Sequence, residues 1–206
     1  MFTIILVIIT SAFSFLGFRR PELMSRYDFS PYRIVYRNEY YRFFTHAFLH
    51  ADYVHLIINM LVFFSFGRYV EGNFNQLARG GYIHSGEFNF ILLYMSSIII
   101  SSITTFIKKR NDPYYIAVGA SGAVSAVLFT SIFFSPLEKV YLYGILPLPG
   151  IVFGILYLAY SSYMSKRAKD NINHDAHFWG AVFGLVYPVL MEPQLFKTFL
   201  TQIGIR

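Results

Sequence analysis

Residues 113–137 read PYYIAVGASGAVSAVLFTSIFFSPL, a run of 25 residues without a charged side chain. About 20 apolar residues are enough for a helix to cross the hydrocarbon core of a bilayer. Runs of this kind recur along the chain, and the six of them cover residues 1–18, 53–67, 88–107, 113–137, 140–165 and 176–191. The pattern predicts an all-α polytopic membrane protein, with residues 1–206 forming a single six-span domain.

The composition excludes several classes of protein. Of the 206 residues, 55% are hydrophobic and only 14% are charged, whereas a soluble domain carries about 25% charged residues. A soluble enzyme and a disordered chain are therefore excluded. The chain has no cysteine, which excludes disulfides and a cysteine nucleophile. The net charge of +6 comes from basic residues in the loops between apolar runs. That distribution is typical of lipid-headgroup contacts, so we expect the bilayer and no nucleic acid as a partner.

The six runs give approximate bounds for the membrane spans. We predict them at about 2–18, 53–71, 88–107, 117–135, 150–164 and 175–192. Residues 19–52 mix arginines with aromatic side chains, which is typical of the headgroup zone, so we predict a membrane-surface loop there. The first run lacks the features of a cleaved signal peptide and is expected to be a retained span.

Four polar side chains stand out because hydrocarbon makes such groups costly and they usually mark a function. They are His55 and Asn59 near the start of span 2, Ser121 near the start of span 4, and His177 near the start of span 6. Spans 2, 4 and 6 run in the same direction, so their N-terminal ends lie at the same face of the membrane. The four side chains are therefore expected to converge at one depth, below one surface.

These residue types suit a hydrolytic reaction. Serine needs a base to remove its proton, and histidine is the side chain best suited to that task at neutral pH. Ser121 as nucleophile and His177 as base would form a two-residue version of the serine–histidine arrangement. The side chains of His55 and Asn59, with the backbone N–H of Ser121, would supply donors for the oxyanion that forms. This chemistry needs no cofactor.

Glycines predict close helix contact at the same place. Gly119 and Gly122 leave room for backbone beside the nucleophile, and Gly180 and Gly184 form a small-residue face on span 6. Such faces let membrane helices approach closely. Contact between spans 4 and 6 would bring the serine and the histidine within hydrogen-bond reach.

Other interpretations of these residues are weaker. His46, His50 and His55 suggest a metal site, but His50 and His55 do not share a helix face and no His-Glu-x-x-His motif is present. We therefore expect no metal. Every acidic residue lies outside the uncharged runs or at their ends, which argues against an aspartate-based membrane protease. A transporter would need polar residues through the full depth of the membrane, and here they crowd one end. A lone serine in a membrane helix usually bonds to its own backbone, so the hypothesis depends on the four residues together.

The motifs, taken jointly, resemble those of the rhomboid family of intramembrane serine proteases. The resemblance covers about residues 40–190 and rests on Tyr41-Arg42, His46-Ala47-Phe48-Leu49-His50, His55-x-x-x-Asn59, Gly119-Ala120-Ser121-Gly122 and Ala176-His177-x-x-Gly180-x-x-x-Gly184. It implies a six-helix rhomboid-like bundle. It also implies an endopeptidase that cleaves single-span membrane proteins near the top of their transmembrane helix, without a cofactor.

The resemblance assigns roles to individual residues. Ser121 would be the nucleophile and His177 the general base, while His55 and Asn59 would line the oxyanion hole. The supporting residues would be Gly119, Gly122, Gly180, Gly184, Arg42, His46 and His50, the last three holding the first loop in shape.

Several alternatives stay open at this point. Some family members carry a tyrosine four residues after the nucleophile that stacks on the histidine, and this chain has Ser125 there.

Catalytically inactive relatives, which bind or dislocate membrane proteins, form the competing functional class. The family's usual orientation would put twelve Lys and Arg residues outside and five inside, against the positive-inside rule. We expect a multi-pass protein of the bacterial inner membrane, with transmembrane proteins as substrates. The sequence does not predict its oligomeric state.

Overall fold

The structure, a computed structural model, describes residues 1–142, 145–167, 170 and 172–205 and has a helix at each of the six predicted spans. These helices are α1 (Phe2–Arg19), α5 (Tyr53–Arg79), α6 (Gly86–Lys109), α7 (Ser121–Phe134), α8 (Gly150–Arg167) and α9 (His174–Met191). By length and hydropathy alone, α1, α5 and α6 qualify as membrane spans within the described residues. The helical membrane architecture is confirmed, whereas the count of six spans stays a prediction.

The remaining elements lie between and after these helices. The predicted membrane-surface loop contains α2 (Pro21–Tyr27), α3 (Pro31–Arg37), α4 (Arg42–Thr45) and a 3-10 turn (His46–Phe48). Proline opens α2 and α3, since its fixed φ suits the first helical turn. A short helix, α10 (Gln194–Gln202), follows α9. The chain is not wholly α, because β1 (Lys139–Leu142) and β2 (Leu146–Pro149) form an antiparallel hairpin.

Helix α7 is the centre of the bundle. All of its residues from Gly122 to Phe133 are buried, as expected for a helix that is apolar on every side. It packs against α5, α6, α8 and α9. The residue at its start is therefore held by several neighbouring helices.

The closest helix contact is the predicted one between α7 and α9. A Cβ atom added at Gly180 would collide with the carbonyl group of Gly122, and one added at Gly184 would collide with the backbone of Ala126. Both collisions involve backbone atoms, which cannot turn aside as a side chain does. The small-residue face on span 6 is thus confirmed as a packing surface.

Two predicted helix bounds were wrong, for identifiable reasons. Helix α7 begins at Ser121 and not at residue 117, because Ala117 pairs with Phe29 through N–H···O distances of 2.8 and 3.0 Å. Gly119 then has a φ of +125°, a backbone conformation that only glycine adopts without strain. Helix α5 extends past residue 71 to Arg79, since its polar C-terminal turns continue the helix beyond the uncharged run.

Candidate functional site

Ser121 is the first residue of α7, and the segment before it is fixed by the first loop. The N–H of Gly119 donates to the carbonyl of His46 over 3.0 Å. Ala120, at the N-cap position, provides no side-chain cap. The first N–H groups of a helix have no partner inside it, so the start of α7 presents free donors and the positive end of the helix dipole beside the Ser121 hydroxyl.

His177 lies in the first turn of α9, which packs against the first turn of α7. Asn173 caps α9 by accepting from the N–H of Ala176 over 3.1 Å, and its side-chain oxygen also accepts from Thr105 Oγ1 over 2.9 Å. A Cβ added at Gly122 would lie 3.3 Å from the carbonyl oxygen of Ala176. The residue after Ser121 therefore contacts the residue before His177.

Ser121 and His177 are both half-buried and sit on touching stretches of backbone. Within the described residues they make no direct side-chain hydrogen bond. Hydrogen bonds of this kind are often loose in a free enzyme and tighten with substrate bound. The structure thus brings the two residues together, while the bond between them stays a prediction.

His55 and Asn59 lie one turn apart on α5, as predicted. Asp52 caps α5 by accepting from the N–H of His55 over 2.8 Å. The imidazole of His55 lies against Gly119, where an added Cβ would be 2.8 Å from His55 Cε1. Asn59 is buried, and one of its amide hydrogens bonds to the carbonyl of His55 over 2.9 Å. His55 thus reaches the segment two residues before Ser121, and the second amide hydrogen of Asn59 makes no hydrogen bond to the part of the chain that the structure describes.

Arg42 organises the first loop around one buried guanidinium. Its side chain is 2% exposed and donates to Asp28 Oδ1 over 2.6 Å, to the Asp28 carbonyl over 2.8 Å and to the Ser25 carbonyl over 3.2 Å. A further bond of 2.5 Å reaches Glu39 Oε2. Burial raises the pKa of Asp28, and the charge of Arg42 opposes that rise. The planar fork of an arginine suits this set of acceptors.

His46 and His50 hold the loop as buried neutral groups. The Nδ1 of His46 lies 2.8 Å from the carbonyl of Arg42, and the Nδ1 of His50 lies 2.9 Å from Ser14 Oγ on α1. Burial lowers the pKa of His46 to about 4 and that of His50 to about 3. A group of three or more His, Asp or Glu side chains suited to a metal is absent from the described part of the chain.

A small cavity lies beside Ser121, between the first loop, α6 and the start of α9. Its volume is about 30 Å³, which is room for about two water molecules. Polar groups in its lining include His46, Ser101, Ser102 and Asn173. The sequence predicts a polar cavity bounded by spans 2, 4, 5 and 6, whereas this cavity borders α6, the third span.

Two side chains near His177 were missed by sequence reasoning. Tyr157 on α8 stacks on the imidazole of His177, with ring centres 6.3 Å apart and 19° between the planes. His174 lies edge-on to His177 at 5.9 Å, and its Nε2 is 3.1 Å from the carboxylate of Asp170. The only signal for Tyr157 was the unusual Ser125. The sequence also predicts that the loop 165–175 caps the cavity, and residues 168, 169 and 171 of that loop lie outside the described residues.

Fold and site together define a helical, integral membrane protein in which Ser121, His177, His55 and Asn59 lie where α5, α7 and α9 begin. The family model of the Rhomboid domain matches residues 37–194, which is most of the chain. The chain therefore belongs to the rhomboid family.

Curated relatives agree with this assignment. The chain is 32% identical over 156 residues to the "Putative rhomboid protease YdcA" of Bacillus subtilis, covering 76% of this chain and 69% of that protein. It is 28% identical to the mitochondrial RHOMBOID-like protein 12 of Arabidopsis thaliana, over 69% of this chain and 44% of the relative. It is 29% identical to the mitochondrial Rhomboid protein 1 of Saccharomyces cerevisiae, over 68% of this chain and 39% of the relative.

The matched region spans less than half the length of the two mitochondrial relatives. Because relatives occur in mitochondria as well as in a bacterium, the predicted bacterial inner membrane stays a prediction.

Proposed function

We propose that this protein is an intramembrane serine endopeptidase, with Ser121 as the nucleophile and His177 as the general base. The observation that carries the proposal is the contact of α7 with α9 at Gly122, Ala176 and Gly180. This contact brings together two residues from distant parts of the sequence, each at the first turn of its helix. Without it, neither side chain would have a partner for acyl transfer.

The expected chemistry follows the roles of the groups around Ser121. The Ser121 hydroxyl attacks the carbonyl carbon of the substrate peptide bond and passes its proton to His177. The negative oxygen that forms accepts hydrogen bonds from the free backbone N–H of Ser121 and from the side chains of His55 and Asn59. His177 then donates its proton to the leaving amine, and water hydrolyses the acyl-enzyme in a second cycle of the same steps.

The length of α7 supports a site below the membrane surface. Its 14 residues give a helix of about 21 Å, whereas the hydrocarbon core is about 30 Å thick. If its C-terminal end reaches the far interface, Ser121 lies about 9 Å inside the near one. A nucleophile at that depth suits a substrate bond near the end of a transmembrane segment.

Water for the hydrolytic step is the other requirement at this depth. The cavity beside Ser121 has polar walls and room for about two waters. This cavity would hold the water that hydrolyses the acyl-enzyme. The substrate helix itself must unwind locally, because a helix hides its carbonyl groups from attack. Small or helix-breaking residues near the cleaved bond are therefore expected in substrates.

The test is cleavage of a single-span membrane protein by the purified protein in proteoliposomes. We expect cleavage by the wild type and its loss in Ser121→Ala and in His177→Ala. Ser96→Ala is the matched control, because Ser96 is also a helix serine but bonds to its own backbone at the carbonyl of Leu93. A fluorophosphonate probe should label the wild type and Ser96→Ala and fail to label Ser121→Ala.

The outcomes separate the candidate functions. Cleavage that survives Ser121→Ala would refute the proposed nucleophile. A wild type that binds the substrate but neither cleaves it nor reacts with the probe would favour the competing class, an inactive relative that binds or dislocates membrane proteins.

A further inference from the structure

The position one turn after Ser121 holds a serine whose hydroxyl reaches across to another helix. Ser125 Oγ lies 2.7 Å from the hydroxyl oxygen of Tyr157 on α8. The two residues are 32 positions apart in sequence. This hydrogen bond ties α8 to α7 in the part of the bundle that contains the candidate site.

The ring of Tyr157 is itself placed on His177. The two rings are nearly parallel, at 19°, with their centres 6.3 Å apart, which is within the range of offset-stacked pairs. The rings of Phe129 and Phe153 also pack against the Tyr157 ring, with ring centres 5.3 and 5.7 Å from its centre. The tyrosine is thus fixed by its hydroxyl at one end and by aromatic neighbours around it, with the imidazole as its remaining partner.

We propose that Tyr157 is a positioning residue for His177: its ring fixes the plane of the imidazole, and the bond to Ser125 fixes the ring. This role rests on the proposed function of His177 as the general base. A base must keep a defined direction toward the hydroxyl it deprotonates. His177 has no other stacked partner among the described residues, since His174 meets it edge-on at 73°.

The placement on α8 links the imidazole to an otherwise weakly packed helix. The buried residues of α8 are Gly150, Gly154 and Ser161, all of them small. Phe153, Tyr157 and Leu158 are large, partly buried side chains of α8 that pack on the bundle, and Tyr157 is the one that stacks on His177. A displacement of α8 from α9 would pull the ring off His177, so the position of α8 and the orientation of the base are coupled.

The first test is kinetic and separates kcat from KM. In Tyr157→Leu, which removes the ring, we expect kcat to fall roughly three- to tenfold with KM changed by less than about twofold, because the base acts in the chemical step. Tyr157→Phe keeps the ring but loses the bond to Ser125, so its kcat should fall less than that of Tyr157→Leu. Tyr163→Leu is the matched control, since Tyr163 lies on the same helix with its side chain exposed.

A double-mutant cycle tests the anchoring bond. Ser125→Ala and Tyr157→Phe each remove the same hydrogen bond, so the combined variant should lose no more activity than either single variant. Additive losses would show that Ser125 and Tyr157 act independently and would overturn the anchoring role.

A second readout does not depend on protease activity. Diethyl pyrocarbonate modifies accessible imidazoles, and peptide mass spectrometry gives the rate at His177, with the exposed His84 as the internal reference. We expect the ratio of the His177 rate to the His84 rate to rise severalfold in Tyr157→Leu and to stay near the wild-type value in Tyr163→Leu.

These readouts keep the two proposals distinguishable. A wild type without cleavage or probe labelling would refute the proposed function, while the modification rates would still test the packing of His177. An unchanged His177 rate in Tyr157→Leu would overturn the positioning role whatever happens to kcat. A rise in KM with kcat unchanged would also overturn it, because it would assign Tyr157 to substrate binding.

Discussion

Replacing Gly184 by alanine tests whether the α7–α9 contact holds the candidate site together. Gly184 faces the backbone of Ala126, and an added Cβ would overlap the carbonyl group and Cα of that residue. Because the added Cβ would overlap backbone atoms, the overlap can be removed only if α9 moves away from α7. The same movement would stretch the bond of 2.8 Å that Thr130 Oγ1 donates to the Gly184 carbonyl.

The expected loss of stability follows from two opposing terms. Overpacking a close contact costs about 1–3 kcal/mol, and alanine regains about 1 kcal/mol of helix propensity over glycine. We therefore expect Gly184→Ala to lower the free energy of unfolding by up to about 2 kcal/mol, which is a fall of up to roughly 8 °C in melting temperature for a chain of this size.

The expected loss of activity is separate from the loss of stability. Gly184 lies two turns beyond His177 on α9 and does not face Ser121. A misplacement of about 1 Å between reacting groups can lower a rate about 100-fold. We expect folded Gly184→Ala to cleave a transmembrane substrate at least about tenfold more slowly than the wild type.

The assay pairs thermal unfolding in detergent with cleavage rates in proteoliposomes. Gly72→Ala is the matched control, because Gly72 lies in helix α5 with nothing within 4 Å of an added Cβ. That variant should be neutral or more stable by up to about 1 kcal/mol. If Gly184→Ala melted and cleaved like Gly72→Ala, the close contact would have no role in holding the site.

Three further predictions concern buried polar groups of the first loop and of α5. Arg42→Lys loses the guanidinium fork and should lower stability by about 1–3 kcal/mol; an unchanged melting temperature would contradict the account of the first loop. His46 and His50 have folded-state pKa values of about 4 and about 3, below the value near 6.5 of an unfolded chain. The unfolded chain therefore binds more protons in acid, so stability is full above about pH 6.5 and falls as the pH drops toward 4, by up to about 1.4 kcal/mol per pH unit for each histidine. Melting curves at several pH values check this, and equal melting temperatures at pH 7 and pH 5 would contradict it. Glu71 accepts from Thr3 Oγ1 at 2.7 Å and from the Thr3 N–H at 3.1 Å, so Glu71→Gln should cost about 1–3 kcal/mol in the same assay, with a wild-type melting temperature as the contrary result.

The positions of the helices were predictable because charge is expelled from hydrocarbon. The uncharged run of α1 is followed by Arg19, the last residue of that helix, and α6 ends at Lys109 beyond its run. The same rule fails where a polar helix continues outside the run, as α5 does to Arg79. It also fails to predict the β1–β2 hairpin, because strand pairing depends on a partner segment and the positions of charged residues do not indicate it.

The gathering of the site was predictable from span parity alone, and its packing was not. Parity placed His55, Ser121 and His177 at one end of the bundle, where α5, α7 and α9 begin. The ring that covers His177 comes from α8, and no periodicity in the sequence connects Tyr157 with it. Ser125 indicated that the usual neighbour was missing, but only coordinates identify which side chain takes its place.

The sequence places the start of span 4 at about residue 117, whereas α7 begins at Ser121. This difference decides whether the backbone N–H of Ser121 bonds within the helix. A helix that began at residue 117 would bond the N–H of Ser121 to the carbonyl of Ala117, four residues earlier. In the structure that carbonyl accepts instead from the N–H of Phe29, over 2.8 Å, and the φ of +125° at Gly119 turns the chain so that the helix starts at Ser121. The N–H of Ser121 is thereby left without a helical partner, as an oxyanion donor must be. The first loop therefore does more than contact the bundle: by pairing with Ala117 it sets the start of α7 at Ser121 and leaves the N–H of Ser121 without a helical partner, as the proposed reaction needs.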